Sequence, residues 1–262
     1  MIRQWFEDWF DSPLYEQLYA HRDHDDALQL AHLIAEHCPP TRYPSMLDLA
    51  CGRGRHSLNF ARMGYTLTGV DLSPNAIQKA SNHAKSEHLE ITFSIGDMRQ
   101  ALPETFDLIV NLFTSIGYFE ADDENEAVIR SLSQMIKPQG VIWIDFLNSH
   151  YVRQHLKPRD EGHLPDWNYW IKRWIDGDAI HKEIHLIQPS SGDEQLFREY
   201  VRLYDIAWFT QVLAKYDVKI LAAFGDYAGT PFKEASSPRL LMKIGRNSGS
   251  FDIHQSTAGS TH

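Results

Sequence analysis

The sequence predicts an α/β protein with a doubly wound, mainly parallel sheet of seven strands and helices on both faces. Two observations support this prediction. Short apolar segments alternate with amphipathic ones over residues 46–146, which is the pattern of strands and helices in a parallel sheet. In addition, 43% of the 262 residues are apolar, so the chain can bury the core of one large domain, expected over residues 1–246.

A helical cap is predicted over residues 1–40. Aromatic residues recur at i, i+4 within residues 5–10, which indicates one face of a first helix. A second helix is expected after Ser12, because serine caps helices and Pro13 fits the first turn. A third helix begins at Asp25 and ends before two prolines. The aromatic residues are expected to dock the cap on the domain or, as the alternative, to form a lid that contacts substrate.

Five strands and three helices are then expected over residues 46–146. The predicted strands and the helices between them are strands 46–49, 65–70, 91–95, 106–112 and 141–146, with helices at about 55–63, 74–88 and 122–136.

The pattern changes after Asn148, where no helical periodicity separates the apolar segments. Residues 148–204 are expected to form an antiparallel insertion after the fifth strand, with a hairpin turn at Asp176-Gly177. Its strands, and the elements that follow it, are predicted as strands 169–175, 179–187 and 196–204, a helix at 205–216 and strands 218–224 and 239–244. Residues 247–262 are rich in Ser, Gly and Thr and are expected to be a disordered tail.

Charge and composition limit the function. The chain has 25 basic and 35 acidic residues and a net charge of −10, which argues against a nucleic acid as an obligate partner. No segment approaches the ~18 apolar residues of a membrane span, and no signal peptide is visible, so we expect a cytoplasmic protein without a membrane partner. No metal is expected, because the pairs His21/His24 and His181/His185 lack a third ligand and there are only two cysteines.

Acidic residues stand at the ends of three successive predicted strands. Asp48 is followed by a loop with Gly52 and Gly54 and then by a helix, so the backbone can approach a ligand closely. Asp71 follows the second strand, where a carboxylate can accept both hydroxyls of a ribose. Asp97 follows the third strand and can accept from an adenine amino group. Each acid alone could fix a turn or cap a helix, but together they predict adenosine binding.

With these residues assembled, the chain resembles the class I S-adenosylmethionine-dependent methyltransferases. The resemblance covers roughly residues 46–148, and its matching segments, in order, are residues 48–54, 69–74, 96–99, 106–110 and 111–118. Ala50 departs from the family, which often has glycine at that position. The resemblance implies a Rossmann-like fold, S-adenosyl-L-methionine as the cofactor, and methyl transfer as the reaction.

Finer features resemble the small-molecule branch of that family, which includes sugar-amine and glycine-type N-methyltransferases. The residues Tyr15, Tyr19, Arg22 and Asp23 resemble an arm that folds over the cofactor, and the antiparallel insertion resembles a substrate cover. The expected activity is therefore methyl transfer to the nitrogen or oxygen of a small molecule. Two alternatives stay open, namely methylation of RNA or protein and a non-catalytic protein that binds S-adenosylmethionine. A homodimer is also left open.

The expected site has a cofactor part and a catalytic part. The expected cofactor contacts are Tyr15, Tyr19, Arg22, Asp48, Ala50, Cys51, Gly52, Gly54, Asp71, Leu72, Asp97, Met98, Asn111, Leu112 and Phe113. Tyr118 is a catalytic candidate because its hydroxyl can orient or deprotonate an acceptor. His56 is a second candidate, with helix packing as the alternative.

The insertion offers two polar strand faces, which are either a solvated surface or a pocket wall. By the strand period of two, they consist of His181, Glu183 and His185 on one strand and of Arg198, Tyr200 and Arg202 on the next.

Overall fold

The computed structural model describes residues 5–19 and 24–247. The predicted tail therefore lies outside the described residues except for Asn247, and Arg22 also lies outside them. The strands in chain order are β1 (Ser45–Leu49), β2 (Thr66–Asp71), β3 (Ile91–Ile95), β4 (Phe106–Asn111), β5 (Ile136–Leu147), β6 (Arg159–His163), β7 (Asn168–Asp176), β8 (Ala179–Ile187), β9 (Glu194–Arg202), β10 (Val218–Phe224) and β11 (Arg239–Arg246). The helices are α1 (Trp5–Asp11), α2 (Pro13–Leu18), α3 (His24–His37), α4 (Arg55–Arg62), α5 (Pro74–Ser86), α6 (Asp122–Met135), α7 (Ser149–His155) and α8 (Ile206–Ala214).

The central sheet has seven strands in the order β10-β11-β5-β4-β1-β2-β3. All neighbours from β5 to β3 pair in parallel, whereas β11 pairs antiparallel with both β5 and β10. The predicted fold class, a mainly parallel seven-stranded sheet with a helical cap and an antiparallel insertion, is confirmed. The order reverses between β1 and β4, and ligands of open α/β sheets bind at such a switch point.

Both faces of the sheet are buried, which explains why its central strands are almost continuously apolar. In β1, Met46 packs into the core on one face and Leu47 into the core on the other. In β4, Ile109 and Val110 likewise pack into the cores on opposite faces of the sheet. The sheet is thereby fixed between two helical layers, and the carboxyl ends of its strands are held at one edge.

The N-terminal arm, defined here as residues 5–19, lies across that edge. The side chain of Ser12 accepts a hydrogen bond from the backbone N–H of Leu14 and so caps α2, as the sequence predicts. Trp9 is fully buried and packs with Leu14 and Leu18 against apolar residues of the insertion. The docking role predicted for the aromatic residues therefore holds for Trp9.

The insertion is a four-stranded antiparallel sheet in the order β6-β7-β8-β9. The predicted hairpin joins β7 to β8, with Asp176 paired to Ala179 and Gly177 at a φ of +54°. Two elements, α7 and β6, were not predicted, and β9 begins and ends two residues earlier than expected. Among the described residues, no helix has the length and apolar character that a membrane crossing requires.

Candidate functional site

A cavity of about 730 Å³ lies at the carboxyl ends of the parallel strands, between the sheet, the N-terminal arm and the insertion. This volume is within the range of small-molecule sites, roughly 300–1,000 Å³. The structure brings most of the predicted site residues to its wall, namely Tyr15, Tyr19, Asp48, Ala50, Cys51, Gly52, His56, Asp71, Leu72, Asp97, Met98, Leu112, Phe113 and Tyr118.

Two predicted contacts are not part of the wall. Gly54 has a φ of +79°, and a Cβ there would approach Phe93 to 3.2 Å, so its position is explained by packing under the loop. Asn111 is fully buried and its Nδ2 donates to the carbonyl of Leu49 at 2.9 Å, which joins β4 to β1. Arg22 lies outside the described residues.

The loop after β1 owes its shape to left-handed backbone conformations. Ala50 has a φ of +62° and Gly52 a φ of +55°. The backbone N–H of Gly52 donates to a carboxylate oxygen of Asp71 at 2.7 Å. A Cβ added at Gly52 would meet nothing within 4 Å, so this glycine is required by the turn and not by a neighbouring side chain.

Two carboxyl groups form the floor of the cavity, the buried Asp48 and the half-buried Asp71. Burial raises the pKa of Asp48 to about 7, although Ser57 donates a hydrogen bond to its carboxylate at 2.6 Å, and the charge of Asp71 adds to the rise. Burial also raises the pKa of Asp71, against the hydrogen bonds that it accepts from the backbone of Ser73 and Gly52. Ionisation of both carboxyl groups of the floor is therefore unfavourable. Asp71 is the one whose oxygens can accept hydrogen bonds from a ligand.

Asp97 lies beside β3 and is held by an arginine. Arg99 contacts both carboxylate oxygens through Nε at 3.0 Å and also pairs with Glu124 at 2.5 Å. Burial acts to raise the pKa of Asp97, but the hydrogen bonds and charge of Arg99 outweigh it, and the pKa is lowered. Asp97 is therefore an ionised, oriented acceptor on the cavity wall.

His56 is buried and neutral. Its Nε2 accepts from the Arg55 guanidinium at 3.2 Å, so the ring proton of the neutral form lies on Nδ1. Within the described part of the chain, this buried Nδ1 has no hydrogen-bond partner. Burial, and then the charge of Arg55, lower the pKa of His56 to about 3. His56 can therefore donate a hydrogen bond at neutral pH, and it is a poor base.

The segment after β4 is strained. Phe113 and Thr114 both have a φ of +62°, a conformation that costs a non-glycine residue of order 1–3 kcal/mol. The buried side chain of Asp145 accepts from the backbone N–H of Phe113 at 3.1 Å, and its backbone carbonyl accepts from that of Thr114 at 2.9 Å. Arg239 pairs with Asp145 at 2.6 Å and also donates to the Thr114 hydroxyl. These bonds stabilise the strained backbone at the cavity wall.

Tyr118 lies in an aromatic wall that the N-terminal arm completes. The centroid of its ring lies 5.2 Å from that of Trp5, 6.2 Å from that of Phe6 and 5.5 Å from that of Phe10. Its backbone carbonyl accepts a hydrogen bond from Trp5 Nε1 at 3.3 Å. Trp5, Phe6 and Phe10 all line the cavity. Phe6 is also buried in the core, and Trp5 and Phe10 pack against it, so the predicted docking role holds for these side chains as well. Contact of these side chains with substrate, the lid alternative, stays a prediction.

The insertion forms the roof of the cavity. The face of β8 and β9 that lines the cavity is the one opposite to the polar face considered in the sequence analysis. Lys182 and Glu199 line the cavity, together with Ile180 and Val201. The six residues of the two predicted polar faces do not line it, so the solvated-surface alternative is the one that holds; these residues are His181, Glu183, His185, Arg198, Tyr200 and Arg202.

Part of the wall was not predicted from the sequence, namely Glu16, Arg53, Arg55, Ala76, Phe119, Leu147, Arg173, Ile180, Lys182, Glu199, Val201 and Arg239. One signal could have found Lys182. Ile184 and Leu186 lie two and four residues beyond it and are apolar, so this face of β8 turns inward and Lys182 is its one charged member.

Comparison with known proteins agrees with this geometry. Residues 46–140 match the model of the family described as "Methyltransferase domain". A curated relative from Streptomyces venezuelae is 29% identical over 220 residues, which cover 80% of this chain and 87% of the relative. That relative is named dTDP-3-amino-3,4,6-trideoxy-alpha-D-glucopyranose N,N-dimethyltransferase.

Solved structures share the fold. An S-adenosylmethionine-dependent methyltransferase from Clostridium acetobutylicum superposes with a TM-score of 0.76 at 20% identity, covering 89% of this chain and 96% of that one. An amino pentose methyltransferase from Micromonospora echinaspora, solved with S-adenosylmethionine bound, gives a TM-score of 0.69 at 19% identity and covers 90% and 98%.

Proposed function

We propose that this chain, which is an S-adenosylmethionine-dependent methyltransferase, transfers the methyl group to an amino group of a small polar molecule. The observation that supports binding of the cofactor most is the position of Asp71, whose carboxylate lies at the cavity floor beside the glycine loop. Its relative from Streptomyces venezuelae is named for the dimethylation of an amino sugar, which favours nitrogen over oxygen as the acceptor atom.

The cavity wall has the groups that an adenosine requires. Asp71 accepts one hydrogen bond on each oxygen, from Gly52 and from Ser73, and a carboxylate has further lone pairs for two ribose hydroxyls. We assign the adenine amino group to Asp97 and the ring faces to Leu72 and Met98. The buried floor disfavours water, so these polar contacts are stronger than they would be in solvent.

The methionyl part of the cofactor is assigned to the arm and to the end of β4. Tyr15 and Tyr19 lie on the wall, and Arg22 is assigned to the carboxylate on the basis of the sequence. The Tyr19 hydroxyl donates to Glu199, so Tyr19 is assigned a packing contact with the cofactor and not a donated hydrogen bond. Leu112 and Phe113, which line the cavity, are assigned to the amino group and the sulfur-bearing chain, whereas Asn111, which lies behind the wall, holds the end of β4 in place.

The reaction needs alignment more than it needs a strong catalyst. The methyl carbon passes from the sulfur to the acceptor nitrogen, the C–S bond breaks with its electron pair left on sulfur, and the nitrogen loses a proton. We assign to the Tyr118 hydroxyl the orientation of the acceptor and the relay of its proton to solvent: the hydroxyl oxygen receives the proton from nitrogen while its own proton passes on, so the side chain stays neutral. His56 is assigned as a hydrogen-bond donor through Nδ1, because its Nε2 is occupied by Arg55. Closure by arm and insertion excludes water from the site.

A panel of acceptors tests this proposal. The protein is incubated with S-adenosylmethionine and matched pairs of amino and hydroxy sugars, free and nucleotide-linked, and S-adenosylhomocysteine is measured together with the product mass. We expect turnover on an amino member of the panel, with a product heavier by one methyl group, and none on its hydroxy counterpart. Turnover only on total tRNA or on protein would overturn the small-molecule acceptor, and cofactor binding without turnover on any substrate would overturn the enzyme.

A further inference from the structure

A buried polar cluster joins the N-terminal arm to the roof of the cavity. The Glu199 carboxylate accepts from Trp9 Nε1 at 2.7 Å and from the Tyr19 hydroxyl at 2.6 Å, and both donors belong to the arm. Lys182 pairs with the same carboxylate at 3.3 Å and also donates to the Tyr19 hydroxyl. The side chains of Lys182 and Glu199 are 10% and 18% exposed, so this cluster is shielded from solvent.

The ion pair between the arm and α5 is more exposed than this cluster. Glu16 pairs with Lys79 at 2.6 Å, but the two side chains are 50% and 47% exposed. Asp11 accepts from Ser73 and from Asn75 near the start of α5. Exposed ion pairs contribute little, about 0–1 kcal/mol, whereas removal of one partner from a buried charged cluster leaves the others without compensation. Of the two ion-paired contacts, the cluster at Glu199 therefore holds the arm more strongly.

The position of Glu199 also links the arm to the end of β4. Two residues further along β9, Val201 lies on the cavity wall, and a Cβ added at Gly117 would approach it to 3.1 Å. The backbone N–H of Arg202 donates to the carbonyl of Gly117 at 2.8 Å. One strand thus contacts both the arm and the segment that carries Tyr118.

We propose that Glu199 is a positioning residue, whose carboxylate holds the arm over the cofactor half of the cavity and so sets the affinity for the cofactor through Tyr15 and Tyr19. The inference rests on the proposed function, because it assumes that the arm contacts the cofactor. Apolar packing of Trp9 against Phe197, with ring centroids 4.3 Å apart, keeps the arm near the insertion, while the hydrogen bonds of Glu199 fix its orientation.

The test compares three variants with the wild-type protein. Glu199→Ala removes the acceptor for both arm residues. Trp9→Phe removes one donor and keeps an aromatic ring against Phe197. Glu183→Ala is the matched control, because Glu183 lies on the outer face of the same sheet, does not line the cavity, and pairs with Arg198 at 3.4 Å.

Two readouts are measured for each variant, the rate of chymotryptic cleavage within residues 5–19 and the affinity for S-adenosylhomocysteine by calorimetry. For Glu199→Ala we expect cleavage to become faster and affinity to fall, both by about tenfold or more, since a hydrogen bond to a charged group contributes roughly that factor. Trp9→Phe is expected to shift both in the same direction by less. Glu183→Ala is expected to match the wild-type protein.

Three results would overturn the inference. The first is unchanged cleavage and unchanged affinity in a folded Glu199→Ala protein. The second is lower affinity with unchanged cleavage, which would mean that Glu199 acts on the ligand directly. The third is an equal effect of Glu183→Ala, which would indicate a general loss of stability. A wild-type protein that binds no S-adenosylhomocysteine would overturn the proposed function itself, and this outcome is separate because cleavage can be measured without ligand.

Discussion

Asp48 and His56 are both buried beside the cavity, and their pKa values move in opposite directions. The pKa of Asp48 is raised to about 7, so between about pH 4 and 7 the folded protein binds more protons there than the unfolded chain, and stability falls as pH rises. The pKa of His56 is lowered to about 3, so between about pH 3 and 6.5 the unfolded chain binds more protons, and stability rises with pH. The two effects oppose each other in mild acid.

Replacement of Asp48 separates these effects. In Asp48→Asn the unfavourable buried charge is absent, so the variant is expected to gain stability over the wild-type protein as pH rises. At pH 8 the gain should exceed that at pH 5 by at least about 1.4 kcal/mol, which is the value of one pKa unit. Urea unfolding at both pH values measures the difference.

Asp107→Asn is the contrasting variant, because this carboxylate pairs with Lys137 at 3.0 Å and its pKa is lowered. That variant should lose stability at pH 8 relative to the wild-type protein. A stability difference for Asp48→Asn that is the same at pH 5 and pH 8 would contradict an elevated pKa at Asp48.

Tyr118→Phe tests the chemistry at a single hydroxyl group. The aromatic packing with Trp5 and Phe10 is kept, so the cofactor site should stay intact. We expect turnover to fall by ~10–100-fold, in the lower range of acid–base effects, with little change in affinity for S-adenosylhomocysteine. Steady-state kinetics on the acceptor found by the panel measure this. Tyr151→Phe, an α7 side chain that stacks on His155 and does not line the cavity, should leave turnover unchanged. Full activity of Tyr118→Phe would exclude the Tyr118 hydroxyl from the chemistry. Alignment of the acceptor with the methyl group would then be the whole mechanism.

At the scale of elements, the sequence predicts those segments whose apolar pattern is complete. The bounds of β3, β8 and β10 agree with the prediction residue for residue. The missed strand β6 contains no apolar residue apart from a glycine and is an edge strand that pairs with β7, so no hydrophobic period marks it. The predicted start of β5 was late, because a proline and a glycine interrupt the apolar run near its beginning.

The contact between β9 and the segment after β4 gives a prediction at this scale. Gly117 has a φ of +95°, and a Cβ there would lie 3.1 Å from Val201 and 3.2 Å from the carbonyl of Arg202. Gly192, in the turn before β9, also has a positive φ, +79°, but a Cβ there would meet nothing within 4 Å. Both alanine variants incur backbone strain of roughly 1–2 kcal/mol, and Gly117→Ala must in addition displace the roof.

We therefore expect Gly117→Ala to be the less stable of the two and to lose activity, while Gly192→Ala keeps its activity. Thermal unfolding measures the stability of the two variants, and initial rates measure their activity under the same conditions. Equal stability and equal activity of the two variants would show that β9 does not need its close approach to Gly117.

At the scale of the whole molecule, the cavity is built from three parts that are distant in the sequence. The floor was predictable, because Asp48, Asp71 and Asp97 follow strands whose carboxyl ends meet at one edge of a parallel sheet. The roof was predicted from the wrong face of β8 and β9, because the polar face was considered as the pocket wall. The apolar residues Ile184 and Leu186 mark the face that turns inward and packs on the arm. The cytoplasmic location stays a prediction from the sequence, and a homodimer stays open.

The central claim is that the cavity floor binds the adenosine part of S-adenosylmethionine through Asp71. Calorimetry with S-adenosylhomocysteine tests this most directly, on the wild-type protein, on Asp71→Ala and on Asp107→Asn. Asp107 lies near the start of β4, at the amino ends of the parallel strands and away from the cavity. We expect binding by the wild-type protein, an affinity lower by about tenfold to more than a hundredfold in folded Asp71→Ala, and wild-type affinity in Asp107→Asn. An unchanged affinity in folded Asp71→Ala would contradict this claim.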